Sequence, residues 1–180
     1  MIENLVKLLL YYKSLGEQTF ESLSDEELHL IPADGSNSIP TMVKHLWGNM
    51  LSRWTNFLTE DGEKDWRDRE GEFETTIKTR EEMLNKWEEG WTTFINTLKD
   101  LKDDDLGRTI YIRNEGHSVI DAIHRQLAHY SYHIGQIVYL AKMIKGEDWV
   151  SLSIPKGGTD QYNQKKFSEE KSEKHFTDEV

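Results

Sequence analysis

Apolar residues recur at the three- and four-residue spacing of a helical face in four stretches of the chain. The first stretch, from about Ile2 to Leu23, predicts helix one. Ser24 is placed to cap one or two further turns before Pro32 stops them. Helix two is predicted to begin after Ser38, a typical N-cap residue, and its apolar positions continue as far as Phe57.

The two remaining helices have the longest apolar seams. Thr79 and Glu82 stand at capping-box spacing before helix three, and Ser118 and Asp121 stand at the same spacing before helix four. Gly146 provides a natural stop for the last of these helices. Four amphipathic helices with no strand-rich segments between them predict an all-α fold, a four-helix bundle whose sites are built from inward side chains of facing helices.

The segments between and after the helices are polar. Residues 59–79 show no apolar period, and a loop of this length suggests a lid or a partly ordered excursion. The stretch RTIYIRNEG alternates and ends in a turn, which predicts a short extended or hairpin-like connection rather than a sheet. Residues 1–157 are expected to form one domain, and the charge-rich residues 158–180 a mobile tail.

Composition narrows the classes of function. The chain has no cysteine, so it has no thiolate ligand and no cysteine nucleophile, and any thiol chemistry needs an external thiol. Its formal net charge of −11 argues against nucleic acid as a partner. No apolar run approaches the roughly 18 to 20 residues needed to cross a bilayer, and no secretion signal is apparent. We therefore expect a cytoplasmic protein that does not bind membranes.

Polar side chains form a second seam on helix four, beside the apolar one. His129 and His133 lie one turn apart on this seam, close enough for both imidazoles to meet one metal ion. His45, beside the apolar face of helix two, is the best candidate for a third ligand. Three imidazoles with open coordination positions are typical of a catalytic zinc-type site. The alternative is that all three are half-buried hydrogen-bonding residues.

Four further polar residues flank the predicted ligands. Asn49 and Arg53 follow His45 on the same side of helix two and are suited to orient water or an anionic substrate. Gln126 and Gln136 are placed for similar contacts on helix four, so all four are predicted to bind substrate. No catalytic acid or base is evident on either helix. Structural or surface roles are expected for the other histidines, which are His29, His117, His124 and His175.

The sequences HLWGNMLSRW and HYSYHIGQIVYLAK resemble those of the DinB-like superfamily of metal-binding four-helix bundles. They most resemble a bacterial branch whose members are labelled only as domains of unknown function, and the resemblance covers roughly the first 157 residues. It implies that His45, His129 and His133 are the metal ligands. Zinc and nickel are the expected ions, because three imidazoles suit both.

The superfamily includes bacillithiol transferases and a mycothiol-dependent maleylpyruvate isomerase, in which the metal is believed to activate the thiol. The resemblance therefore implies a metal-dependent transferase that uses a low-molecular-weight thiol such as bacillithiol. The alternative is a non-enzymatic metal-binding protein or dimeric stress-response scaffold, and a second alternative is a metal-dependent hydrolase. The resemblance also implies a homodimer.

Overall fold

The computed structural model describes residues 2–179 and is mostly helical. Met1 and Val180, the ends of the predicted domain and tail, lie outside the described residues. Among residues 2–179, no helix has the length and apolar character needed to cross a membrane. The α-helices are α1 (Ile2–Glu21), α2 (Asp25–Leu28), α3 (Ile39–Trp54), α4 (Arg80–Asp100), α5 (Val119–Lys145) and α6 (Thr159–Phe167), and the strands are β1 (Thr109–Ile112) and β2 (Glu115–Ser118).

The helix starts agree with the predicted caps. The side chains of Ser38, Thr79 and Ser118 each accept a hydrogen bond from a backbone N–H in the first turn of α3, α4 and α5. At the other end of α5, Gly146 has a φ of 55°, in the region that favours glycine. The prediction was wrong at the end of α3, which stops at Trp54 because the next residue takes an extended conformation. Phe57 lies beyond the helix but is still buried.

The four long helices share one aromatic core. α3 packs on α4 and α5, and α1 packs on the same two helices from the other side. Gly90 lets α4 approach α3 closely, since a Cβ there would lie 3.2 Å from the Trp47 Cα. The largest fully buried side chains come from α3, α4, α5 and α1, and they are Trp54, Trp87, Trp91, Tyr130, Phe20 and Phe94. Aromatic groups of this size contribute much of the apolar area that stabilises a core.

The predicted hairpin-like connection is present, but its strands pair as a two-stranded sheet, which was not expected, and the hairpin is joined to the long loop. β1 and β2 are antiparallel, with Thr109 opposite Ser118 and Ile112 opposite Glu115. The Asp61 carboxylate accepts hydrogen bonds from the backbone N–H groups at the hairpin turn, both at 2.8 Å. Residues 59–79 contain only one short 3₁₀ turn, Gly71–Phe73. The start of this loop is nevertheless fixed against the hairpin, which positions the remainder of the loop over α3.

The predicted tail contains α6 and a final 3₁₀ turn, Phe176–Glu179, that packs against α1. The ring of Phe176 meets that of Tyr11 edge-on, with centroids 5.4 Å apart. Lys7 and Asp178 form an ion pair at 2.9 Å between partly exposed side chains. An exposed pair of this kind contributes little to stability. The mobility expected of the tail stays a prediction.

Candidate metal site

Histidine side chains from α3 and α5 converge on one point. One ligand nitrogen from each of His45, His129 and His133 lies within 4.8 Å of the other two. The Nε2 atom of His129 is 3.3 Å from that of His45 and 3.1 Å from that of His133. Nitrogens bonded at about 2.0–2.1 Å to a tetrahedral ion lie roughly 3.3 Å apart, so these two spacings fit a shared ion. The three residues could therefore hold a metal ion.

An oxygen atom lies within hydrogen-bond distance of the other nitrogen of each ring. These oxygens are carboxylate or amide oxygens, which can only accept, so each Nδ1 is the donor and carries the proton. Each Nε2 therefore has a free lone pair with which it could coordinate an ion at the point where the three rings converge. Outer partners of this kind orient metal-binding histidines in many proteins. The three bonds join His45 to Glu72 at 2.8 Å, His129 to Gln126 at 3.3 Å and His133 to Gln136 at 2.8 Å.

The Glu72 carboxylate comes from the long loop, and the sequence-based prediction missed it. Only 4% of its side chain is exposed. Arg67 donates two hydrogen bonds to it, from Nε at 2.7 Å and from Nη2 at 2.9 Å. Burial alone would raise the pKa of Glu72, but the bonds from His45 and Arg67 outweigh burial and hold that pKa below its usual range. Glu72 is therefore a charged acceptor for the His45 ring.

Gly48 makes room for this carboxylate on the surface of α3. A Cβ at this position would overlap the end of the Glu72 side chain. Glycine inside a helix costs about 1 kcal/mol relative to alanine, so its presence here calls for a packing reason. This glycine, three residues after His45, is the feature of the sequence that could have indicated a group approaching the ligand.

Burial keeps the ligand imidazoles of α5 neutral, as metal binding requires. It lowers the pKa of His129 to about 3, and the neighbouring His133 and His45 add to that effect. Burial likewise lowers the pKa of His133 to about 4, again with a contribution from His45. At neutral pH, both rings of α5 are therefore uncharged in the metal-free protein.

These shifts predict that the metal-free protein loses stability as the pH falls below about 6.5. Histidine in an unfolded chain has a pKa of about 6.5. Below that pH, His129 and His133 bind protons in the unfolded state but not in the folded state. This difference persists until the pH reaches their folded-state pKa values of about 3 and 4. The free energy of unfolding therefore falls with pH through this window and is fully recovered above it.

Melting of chelator-treated protein between pH 7.5 and 5.0 measures this effect. We expect His133→Gln to show a shallower loss of melting temperature than wild type. His124→Gln, at an exposed position on the same helix, should keep the wild-type slope. Identical slopes in all three proteins would contradict the prediction.

A cavity of about 270 Å³ lies beside the histidines. Three of the four residues predicted to bind substrate, Asn49, Arg53 and Gln126, line it together with His45 and His129. Gln136 is not among the lining residues, and its amide instead bonds to His133. The cavity walls also include four arginines that were not predicted, namely Arg67, Arg69, Arg113 and Arg125.

Asn49 and Arg53 are held in place by buried neighbours. The Tyr130 hydroxyl donates to Asn49 Oδ1 at 3.0 Å and accepts from Trp54 Nε1 at 3.0 Å. Arg53 Nη1 donates to the Gly62 carbonyl at 2.7 Å. Burial lowers the pKa of Arg53 and raises the pKa of Tyr130. Both side chains are thus held at the cavity wall by hydrogen bonds.

A family model described as "Protein of unknown function (DUF1572)" matches residues 1–158. No curated protein and no solved structure matches the chain. The extent of the match agrees with the resemblance found in the sequence, which covered roughly the first 157 residues. The function therefore has to be inferred from the site itself.

Proposed function

The chain belongs to the DUF1572 family of proteins of unknown function, and from this membership and the histidine geometry we propose that it is a DinB-like metal-binding protein. Its four long helices would then form a four-helix bundle of that type. One observation supports the metal above all: three imidazoles direct Nε2 to one point while each Nδ1 is bonded to an oxygen. One divalent ion, zinc or nickel, suits this ligand set.

We further propose that the protein is a metal-dependent transferase that uses a low-molecular-weight thiol such as bacillithiol. A bound divalent ion lowers the pKa of a coordinated thiol toward neutrality. Because the chain has no cysteine, the sulfur has to come from a separate molecule. Asn49 and Arg53 line the cavity beside the ligands, where they can bind the rest of such a molecule. Glu72 keeps the His45 ring oriented.

The cavity favours a transferase over the two alternatives. A hydrolase needs a general base near the ion, and no carboxylate is among the residues that line the cavity. Glu72 is close, but His45 and Arg67 already occupy its oxygens. A non-enzymatic scaffold needs no cavity, so the presence of one favours an enzyme. An activity assay distinguishes the two.

The homodimer and the cytoplasmic location implied by the sequence also belong to this proposal. α5 exposes Tyr132, Tyr139 and Met143, each with more than half of its surface accessible. These side chains supply apolar area that a second copy of the chain could cover.

Elemental analysis and a thiol screen test the proposal together. We expect tag-free protein to contain close to one zinc or nickel ion per chain. The metal-loaded protein should accelerate attack of bacillithiol or a similar thiol on an aryl halide, with the thiol sulfur replacing halide and the thiol proton released to solvent. His129→Ala should show only the background rate. Background rates with every thiol, in protein carrying a full complement of metal, would favour the scaffold instead.

A further inference from the structure

We propose that the cavity beside the histidines is an anion site, which binds a carboxylate or phosphate group of a small ligand. The inference rests on the proposed function only in assuming that another part of the same ligand contacts the metal ion. Recognition of the anion itself depends on residues other than the three histidines.

The cavity collects positive charge from four separate parts of the chain. α3, the long loop, the hairpin turn and α5 all contribute guanidinium groups, and none of the lining residues is acidic. This local excess stands out because the whole chain has a formal net charge of −11. Guanidinium groups present paired N–H donors that match the oxygens of carboxylate and phosphate. The five arginines are Arg53, Arg67, Arg69, Arg113 and Arg125.

The neutral polar residues of the cavity also offer donors. The Asn49 amide oxygen accepts from Tyr130, and the Gln126 amide oxygen faces His129 Nδ1. Each amide is therefore oriented so that its NH₂ group is the part left for a ligand. Apart from the histidine nitrogens at the proposed metal position, the side chains of the lining offer N–H donors, which favours an anion over a neutral or cationic molecule.

The acidic residues near the cavity do not balance these arginines. The Glu63 carboxylate is shared by three of them, Arg53 and Arg67 at 3.2 Å and Arg113 at 3.4 Å. Arg67 also pairs with Glu72 at 2.7 Å, and Arg69 pairs with Glu70 at 3.2 Å. Arg125 has no ion pair within residues 2–179, and its guanidinium meets only His117 Nε2 at 3.5 Å. Positive charge therefore remains for a ligand to neutralise.

Arg53 provides an independent indication of a missing partner. Only 6% of this residue is exposed, and its hydrogen bonds to Gly62 and Glu63 are both made by Nη1. Its Nε is buried and has no acceptor in the described part of the chain. A buried charged donor left without a partner is costly, so an anion at this wall would offset part of that cost.

The size of the cavity limits the ligand. Its volume of about 270 Å³ is slightly below the range of about 300–1,000 Å³ that is usual for sites of drug-sized ligands. Arg69 and Arg113 are about half exposed, so they lie where a longer molecule would leave the cavity. The site therefore fits a small carboxylate or phosphate group better than a large aromatic cofactor.

Calorimetric titration with malonate and with inorganic phosphate tests the proposal, using both metal-loaded and metal-stripped protein. Arg125→Gln is the decisive variant, because Arg125 is exposed and its loss should not disturb the fold. Arg108→Gln is the matched control, since Arg108 is half exposed, pairs with Asp105 and does not line the cavity. Metal content is measured for each variant.

We expect wild type and Arg108→Gln to bind at least one probe saturably, and Arg125→Gln to bind it about tenfold or more weakly with unchanged metal content. Binding of malonate alone would identify a carboxylate site, and binding of phosphate alone a phosphate site. No saturable binding of either probe to wild type would overturn the inference. Binding only to metal-loaded protein, unaffected by Arg125→Gln, would also overturn it, because the ion alone would then hold the anion. Arg125-dependent binding in protein that takes up no metal would support the anion site and reject the proposed function.

Discussion

Replacing His129 by alanine should abolish the thermal stabilisation that a divalent ion gives to the wild-type protein. His45 lies on α3 and the other two ligands on α5, so the ion can meet all three only when these helices are packed together. An ion that binds the folded state alone adds about 2.7 kcal/mol at a hundredfold excess over its Kd. In a domain of this size, that increment corresponds to roughly 5–10 °C in melting temperature.

Thermal melts of metal-stripped and metal-loaded protein at pH 7.5 measure this stabilisation. His124→Ala is the matched control, because it removes an exposed imidazole from the same helix. We expect His124→Ala to keep the full metal-dependent shift. Without metal, both variants should still fold, since the aromatic core does not depend on the ion. Equal loss of the shift in both variants, or an undiminished shift in His129→Ala, would mean that the ligand assignment is wrong.

The helices could be predicted from the sequence because their determinants are local. Ser38 and Ser118 cap the helices that they were predicted to cap, and Gly146 ends α5. The end of α3 could not be placed as well, since Phe57 continues the apolar spacing of the helix after the backbone has left it. Its burial depends on packing in three dimensions, which periodicity alone does not distinguish from helical burial.

The meeting of the histidines was likewise predictable, because each lies beside an apolar face that has to point inward. The partners of these rings were harder to assign. Gln126 precedes His129 by three residues and Gln136 follows His133 by three, a spacing at which side chains of one helix meet, yet both were predicted to contact substrate. The amide oxygens of both residues bond to the rings, and Gln126 but not Gln136 also lines the cavity.

The contributions of the long loop and the hairpin could not be predicted. Glu72 reaches His45 across 27 positions of sequence, through a segment without periodicity. The position of Glu72 depends on the hydrogen bonds between Asp61 and the hairpin turn and on the hydrogen bonds that Arg67 donates to the Glu72 carboxylate. Three of the five arginines of the proposed anion site, Arg67, Arg69 and Arg113, come from the same loop and from the hairpin turn. Contacts of this kind follow from the path of a loop in space, and local spacing rules contain no information about that path.

Replacing Glu72 by glutamine should weaken metal binding about 10- to 100-fold, the usual effect of removing a hydrogen-bond partner of a metal ligand. The carboxylate accepts from His45 Nδ1 and makes this ring a better ligand through its negative charge. Glutamine keeps the shape of the side chain, whereas alanine would leave the buried Arg67 without its main partner and destabilise the fold. Competition with a chromophoric zinc chelator measures the affinity. Glu74→Gln, an exposed position in the same loop, is the control and should bind zinc as wild type does.

Gly48→Ala tests the contact between Glu72 and His45 by a change on α3 instead of a change in the loop. Alanine is the better helix former by about 1 kcal/mol, so helix propensity alone would stabilise α3. The added Cβ would nevertheless overlap the Glu72 carboxylate, which Arg67 prevents from moving away freely. We therefore expect zinc affinity to fall by a factor similar to that of Glu72→Gln. Because both changes act through the bond to His45, their effects should not add in the double variant. Wild-type affinity in Gly48→Ala, or fully additive losses in the double variant, would show that Glu72 does not act on the metal through His45.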